Sequence, residues 1–243
     1  MNDIDLYHEI KSFKDYTPNP SVNEAFSELV KYSLNDKNEI HLTEAEVLDL
    51  QNICSNAEEE LELHFANSIL SAERKLEDFL YYVNYYEQVN LEMSSINKIN
   101  PYIKNILFVG GGALPMTAML LSSKFGFNCD VIEKNENYAK ISKDLIDKLS
   151  IENVNIINTE ALDYEGYANH DLVIVSALAG SDIMKKEELI NHISSQTSLV
   201  LARYATGNKV LLYPDLNKSI INNIASTVNP IGNIINSALI IKN

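Results

Sequence analysis

The sequence predicts an α/β protein with a mostly parallel, Rossmann-like sheet, preceded by an all-helical N-terminal region. Three observations carry this. Up to Asn100-Pro101 apolar residues recur at helical spacing and no strand pattern or repeat appears. Beyond Pro101 short apolar runs alternate with helical stretches, and the first run ends in three consecutive glycines, FVGGG. Strands separated by helices of roughly 10–15 residues lie parallel, with both faces of the sheet covered. The change of texture divides the chain into a helical domain, 1–100, and a sheet domain, 101–243.

In the helical half, VNEAFSELVKYSL places Val22, Phe26, Leu29, Val30 and Leu34 on one face. Ser21, just after Pro20, reads as the N-cap, with Glu24 completing a capping box. LTEAEVLDLQNICSNAEEELELHFANSIL is a second helical stretch, capped by Thr43 with Glu46 at the box position and interrupted near Cys54-Ser55-Asn56. A third, tyrosine-rich helix is expected from about Ala72 to Asn90. In the second half the expected strands are NILFVG, CDVIEK, VNIINTE, DLVIVSA, SLVLARY, KVLLYP and the closing SALIIKN.

Totals narrow the function classes. The 243 residues suffice for one large domain or two smaller ones, and 46% hydrophobic with 22% charged residues is ordinary globular composition. A net charge of −15 opposes a nucleic-acid phosphate backbone, whose binding rests on Lys and Arg, so no nucleic acid is expected as partner. The acidic start MNDIDLYHEI has no apolar signal region, and no apolar run approaches the roughly 18 residues of a membrane span. Cys54 and Cys129 stand apart and read as reduced thiols of a cytoplasmic protein. His41, His170 and His192 are assigned to the surface or to caps, and no His/Cys/Asp cluster has metal-ligand spacing, so no metal is expected. A homodimer is compatible with the sequence, though no feature demands one.

The triple glycine holds the main functional signal. GGGALP is not GxGxxG, because the sixth position is Pro115. Gly110, Gly111 and Gly112 nonetheless suit a turn that folds tightly against a ligand, since glycine has no Cβ and accepts positive φ. Ala113, Pro115 and Thr117 continue the turn into the next helix, with Pro115 in its first turn, where a missing N–H costs nothing. Glu133 ends the following strand about 20 residues on, where an acid commonly accepts hydrogen bonds from ribose hydroxyls, and Asn135 lies beside it. Glu160 and Ala161 after the third strand suit the adenine edge, and Ser176 and Ala177 after the fourth permit close ligand approach. A ligand-free turn and a solvated strand-end acid would look alike one by one; together they resemble a class I S-adenosylmethionine-dependent transferase.

The resemblance extends to the nicotianamine synthase family, including its bacterial metallophore-forming relatives. TPNPSVNEAFSELV is similar to that family's opening segment, CSNAEEELELHFANSIL to its CSEAE…LExH helix, and FLYYVNYYEQ to its FPYYxNY segment. FVGGGALPMT resembles FVGSGPLPLT, ALAGSDIMKKEELINHI resembles ALVGMxKEEK, and LARYATGNKVLLYP resembles LRxAHGxRxFLYP. The blocks run in order from about residue 17 to the C-terminus. The chain departs at Gly111 (serine in the family), Ala113 (proline) and Thr206 (histidine).

The resemblance implies transfer of the 3-amino-3-carboxypropyl group of S-adenosylmethionine onto an amine, with release of 5′-methylthioadenosine and formation of a metal-chelating product. The acceptor is a small-molecule amine, either a second S-adenosylmethionine-derived unit or an amino acid such as glutamate or histidine. Glu58 matches the second acid of the family's EAE element and is the expected base or amine-positioning group. Glu62, four residues on, shares its helical face, although EEELE also reads as an exposed helix. From the third helix Tyr82 is expected at the catalytic centre and Tyr85 at the substrate, with Tyr81 and Tyr86 as packing. Arg203, Tyr213 and His64 are further substrate-binding candidates, Arg203 because its fork can clamp a carboxylate. The competing expectation is a small-molecule N-methyltransferase with a helical cap.

Overall fold

The computed structural model describes residues 2–180 and 183–243; Ser181 and Asp182 of the ALAGSDIMKKEELINHI segment lie outside them. Four helices come first: α1 (Asp3–Lys11), α2 (Pro20–Leu34), α3 (Glu44–Leu70) and α4 (Tyr82–Ile96). The α/β part follows as β1 (Asn105–Val109), α5 (Met116–Phe125), β2 (Asn128–Glu133), α6 (Glu136–Lys148), β3 (Val154–Asn158), β4 (Leu172–Val175), α7 (Ile183–Ser194) and β5 (Leu199–Tyr204). Two further strands, β6 (Ile224–Val228) and β7 (Ser237–Lys242), close it.

The sheet order is β3-β2-β1-β4-β5-β7-β6. Strands β1 to β5 pair in parallel, and β7 runs antiparallel between β5 and β6. This is the expected doubly covered, mostly parallel sheet. Its order reverses between β1 and β4, so the turns leaving those strands face each other across the crevice where such sheets bind ligands.

Local details differ from the sequence reading. Helix α2 is capped by Asn19, whose side chain accepts from the N–H groups of Ser21 and Val22, with Pro20 in the first turn. Ser21 is therefore already helical, because proline preset the backbone one residue earlier. The Thr43–Glu46 capping box is present. Helix α3 does not break at Cys54-Ser55-Asn56 but runs 27 residues. Burial of Ile53, Cys54 and Ala57 outweighs the weak propensity of that triplet. The third helix begins at Tyr82, not Ala72: Ala72 adopts φ 63°, and Leu76–Asp78 forms a short 3-10 turn that drops Phe79 into the core. KVLLYP is not a strand but part of a 3-10 segment, Gly207–Leu211, whose Leu211 and Leu212 are buried among α1, α2 and α3. Strand β6 has no counterpart in the sequence reading; its exposed edge residues lack apolar alternation. His170 is buried rather than superficial, with Nε2 2.9 Å from Asp130 and Nδ1 3.1 Å from the Gly166 carbonyl oxygen.

The core joins the two halves of the chain. Val89, Met93 and Ile96 of α4 pack in one cluster with Phe108 and Ile174 of the sheet. Phe65 and Ile69 of α3 pack with Leu114, Met119 and Leu120 after the glycine turn. Burying each such side chain contributes about 1.5–3 kcal/mol. Helix α3 is thereby held against the crevice, and its inward acids with it.

Candidate active site

Each of the three glycines is required by a different wall. A Cβ on Gly110 would collide with Ser176 Oγ, on Gly111 with Val131 Cγ1, and on Gly112 with Glu62 Oε2. Gly110 and Gly112 also have positive φ (88° and 63°), where a side chain is strained. The turn is thus packed between β4, β2 and α3, and its glycines make room for protein atoms. Glu133 receives it: Oε2 accepts from Gly112 N–H at 2.7 Å and Oε1 from Asn135 N–H at 2.8 Å. Ser142 of α6 donates to the Gly112 carbonyl oxygen at 2.7 Å. Pro115 stands one place ahead of the helix, as the N-cap of α5, not inside its first turn.

Beside this turn lies a cavity of about 640 Å³. Gly110, Gly111, Gly112 and Thr117 line it from the turn, Glu133 and Asn135 from the exit of β2. Glu160 and Ala161 line it after β3, and Ser176 and Ala177 after β4. Ala113 and Pro115 are not among its lining residues; Ala113 packs in the core with Leu114.

The opposite side is built by α3, α4 and the segment after β5. Glu58, Glu62, Tyr85, Arg203 and Tyr213 all line the cavity. Tyr213 donates to Glu58 Oε2 at 2.7 Å; the Tyr85 hydroxyl lies 3.3 Å from Glu58 Oε1 and 3.4 Å from Glu62 Oε1. One hydroxyl carries one hydrogen, so Tyr85 serves one carboxylate at a time and bridges the two. The acids reach one another because α3 presents residues four apart on a single face. Both keep surface open to the cavity yet lie deep within the protein. Burial pushes the Glu58 carboxyl above the usual glutamate range, with the Tyr213 and Tyr85 bonds opposing it. Burial raises Glu62 well above that range, and the neighbouring Glu58 charge adds to the shift. Such a pair holds a proton readily and attracts an ammonium.

Arg203, expected to clamp a substrate carboxylate, is 3% exposed and engaged by protein groups. Its Nε and Nη2 grip both carboxylate oxygens of Glu92 at 2.9 Å, and Nη1 donates to Thr117 Oγ1 at 2.9 Å. Gln88 steadies Glu92 at 3.0 Å. The guanidinium therefore ties α4 to β5 and to the start of α5, with two of its five N–H groups left over.

Two residues expected on the acceptor side stand elsewhere. His64 is on the exposed side of α3 and does not line the cavity. Tyr82 packs against the core cluster that holds Phe65 and Phe79, outside the cavity lining. Tyr81, expected only to pack, lines the cavity instead, and burial pushes its hydroxyl up to about 12. Tyr81, the N-cap of α4, stands four residues before Tyr85 and so lies on the same side as that cavity-lining phenol. The sequence reading also missed Tyr16, Phe26 and Asn236, which line the far end from α2, the segment before it and the β6–β7 connection. Phe26 sits in the TPNPSVNEAFSELV block but reads there only as part of an apolar helix face, and Tyr16 and Asn236 lie in no motif. Among the described residues no group of three His, Cys, Asp or Glu side chains is placed to hold a metal ion.

Comparison with known proteins agrees with this architecture. The nicotianamine synthase protein family matches over residues 2–243. Nicotianamine synthase 3 of Arabidopsis thaliana is 26% identical over 98% of this chain and 81% of its own length. The nicotianamine synthase of Solanum lycopersicum is 25% identical with the same coverages, 98% and 81%. Among solved structures, MtNAS in complex with MTA and tNA superposes with a TM-score of 0.83 at 20% identity, covering 99% of this chain and 96% of that one. A glutamine-for-glutamate mutant of MtNAS in complex with S-adenosylmethionine gives 0.81 at 19% identity, covering 98% and 96%. With a family match spanning the glycine turn, the acidic helix and the segment that carries Tyr213, the chain belongs to the nicotianamine synthase family.

Proposed function

We propose that this chain transfers the 3-amino-3-carboxypropyl group of S-adenosylmethionine to an amine nitrogen, as nicotianamine synthases do, and that its helical half (1–100) roofs the acceptor. The single observation that carries the reading is the Glu58 carboxylate, held by two phenols in a cavity whose other wall is the glycine turn and Glu133. The polar groups leaving β1, β2, β3 and β4 suit the nucleoside of the donor; Glu58, Glu62, Tyr85 and Tyr213 suit the amine.

The chemistry asks for little beyond geometry. The acceptor nitrogen attacks the donor Cγ in line with sulfur; a C–N bond forms, the C–S bond breaks, and its electron pair stays on sulfur as neutral 5′-methylthioadenosine departs. A cationic leaving group makes the bond weak already, so alignment supplies much of the rate. The attacking amine must first lose a proton, because an ammonium has no lone pair. Glu58 accepts it, and its raised pKa brings it nearer the working pH. Tyr213 and Tyr85 hold the carboxylate while it is charged, and Glu62 draws in the ammonium. The product joins several amines and carboxylates in one small molecule, which makes it a chelator.

Incubation with S-adenosylmethionine tests this directly. 5′-Methylthioadenosine is expected as the nucleoside product. S-adenosylhomocysteine in its place would mean that methyl is transferred and would overturn the proposal. Mass spectrometry of the amine product separates the acceptors: a second S-adenosylmethionine-derived unit, glutamate or histidine.

A further inference from the structure

One charged residue near the cavity has no part in the scheme above. Lys186, in the first turn of α7, is fully buried at 0% exposure. No carboxylate lies within ion-pair distance of it among the described residues. Its neighbour Glu187 is buried as well but accepts from the Asn217 backbone N–H. The Lys186 ammonium donates instead to two backbone carbonyls, at 3.0 Å to Ser176 O and also to Ala177 O. A buried cation met by carbonyl dipoles is costly, and burial pushes this amine down to about 7, with the Arg203 charge adding to the shift.

The two carbonyls belong to the turn that leaves β4, and that turn is a wall of the cavity. Ser176, Ala177, Leu178, Ala179 and Gly180 all line it, whereas Lys186 does not. The turn fits closely on both sides. Ser176 Oγ fills the space that a Cβ on Gly110 would need, and it accepts from Ala179 N–H at 3.2 Å. Gly180, at φ 79°, rests on the Lys186 backbone, where a Cβ would come within 2.9 Å of Lys186 Cα. Lys186 thus holds from behind what the glycine turn meets from the front.

We propose that Lys186 is a positioning residue for the donor: by holding the carbonyls of Ser176 and Ala177 it fixes the β4 exit turn against Gly110 and shapes the half of the cavity that takes S-adenosylmethionine. The inference rests on reading this cavity as the donor pocket. Without the lysine both carbonyls lose that donor, Ser176 O keeping the Ala179 N–H at 3.3 Å, and the turn is no longer held from behind. Donor affinity falls while Glu58, on the far wall, keeps its place.

The test is Lys186→Met, which retains length but not the N–H donors. Leaving a buried acceptor without its partner predicts a loss of about tenfold in donor affinity. It is read as a rise in donor KM and in the Kd for S-adenosylmethionine by calorimetry, with kcat and acceptor KM within about twofold. A merely structural lysine would instead lower kcat by reducing the folded fraction and leave donor KM and Kd unchanged; that result, or no change at all, overturns the proposal. Should Lys186→Met fail to fold, Lys186→Arg restores N–H donors on a longer stem and displaces the turn. A donor-specific rise in Kd then supports the assignment, and an unaltered Kd removes it. Calorimetric donor binding does not depend on which group is transferred, so a failure here is separable from a failure of the reaction assignment, which the nucleoside product decides.

Discussion

The two walls of the cavity are built by different means. On the donor side nearly every contact involves backbone: glycines where a Cβ would collide, a Glu133 carboxylate receiving two amide N–H groups, and carbonyls held by Lys186. The acceptor side is an assembly of side chains from distant places, with Glu58 and Glu62 from α3, Tyr85 from α4 and Tyr213 from beyond β5. The first is steric and rigid and resists substitution by crowding. The second is electrostatic, and its behaviour follows proton occupancy.

If that contrast holds, removing charge on the acceptor side should damage chemistry most. Glu58→Gln keeps shape and hydrogen bonding but cannot take a proton; kcat should fall by about 10²–10⁴, with donor Kd within about twofold. Turnover that survives this change would mean that another group is the base.

Next in size is the tie between the walls. Arg203→Met leaves the Glu92 carboxylate buried without its cation, at a cost of about 3–5 kcal/mol. Chemical denaturation should show that loss, and Glu92→Gln should lose stability as well. A change below 1 kcal/mol in Arg203→Met would show that water reaches the pair.

Crowding the donor side comes third. Gly112→Ala needs a strained φ and drives a methyl into Glu62, so a cost of about 1–3 kcal/mol is expected, together with weaker donor binding. If the same change altered kcat with donor Kd unchanged, Glu62 alone would have given way and the turn would have kept its place, and the steric picture of this wall would be wrong.

The smallest expected effect is the most diagnostic for the acid pair. The Glu58 carboxyl lies above the glutamate range because of burial, so the acid limb of kcat/KM should sit above an ordinary glutamate value, with rate rising as pH increases through it. Tyr213 and Tyr85 act the other way; Tyr213→Phe removes a bond to the charged form and should move that limb further up. A downward move contradicts the geometry. The stability sign follows from the same shift. Folding favours the protonated acids, so the contribution of the pair is present below the unfolded glutamate range and is lost as pH rises through the raised folded values.

Much of the molecule could be read from the chain. β1, β4, β5 and β7 answer to largely apolar runs, because a doubly covered strand has little wet face, whereas the edge strand β3, VNIIN, keeps exposed asparagines. The start of α3 follows from Thr43 and Glu46, since a capping box closes within four residues. Family motifs brought Glu58, Glu62, Tyr85 and Tyr213 forward, and all four face one cavity. Reading failed where neighbours from elsewhere outvoted local preference. α3 runs through Cys54-Ser55-Asn56 because Ile53 and Cys54 are buried in one cluster with Leu211 and Leu212, and KVLLYP curls into a 3-10 segment for the same reason. An apolar run says that it will be buried, not in which form.

By itself, then, the sequence determined the layered α/β plan, the glycine turn and the chemical character of the candidate acids, because these depend on periodicity, missing side chains and residue type within short windows. Tertiary structure alone decided that each glycine serves a different wall, that Arg203 binds Glu92, that Tyr81 rather than Tyr82 faces inward, and that Lys186 is buried behind the β4 exit turn. Those outcomes depend on distances between residues far apart in the chain, and no local pattern encodes them.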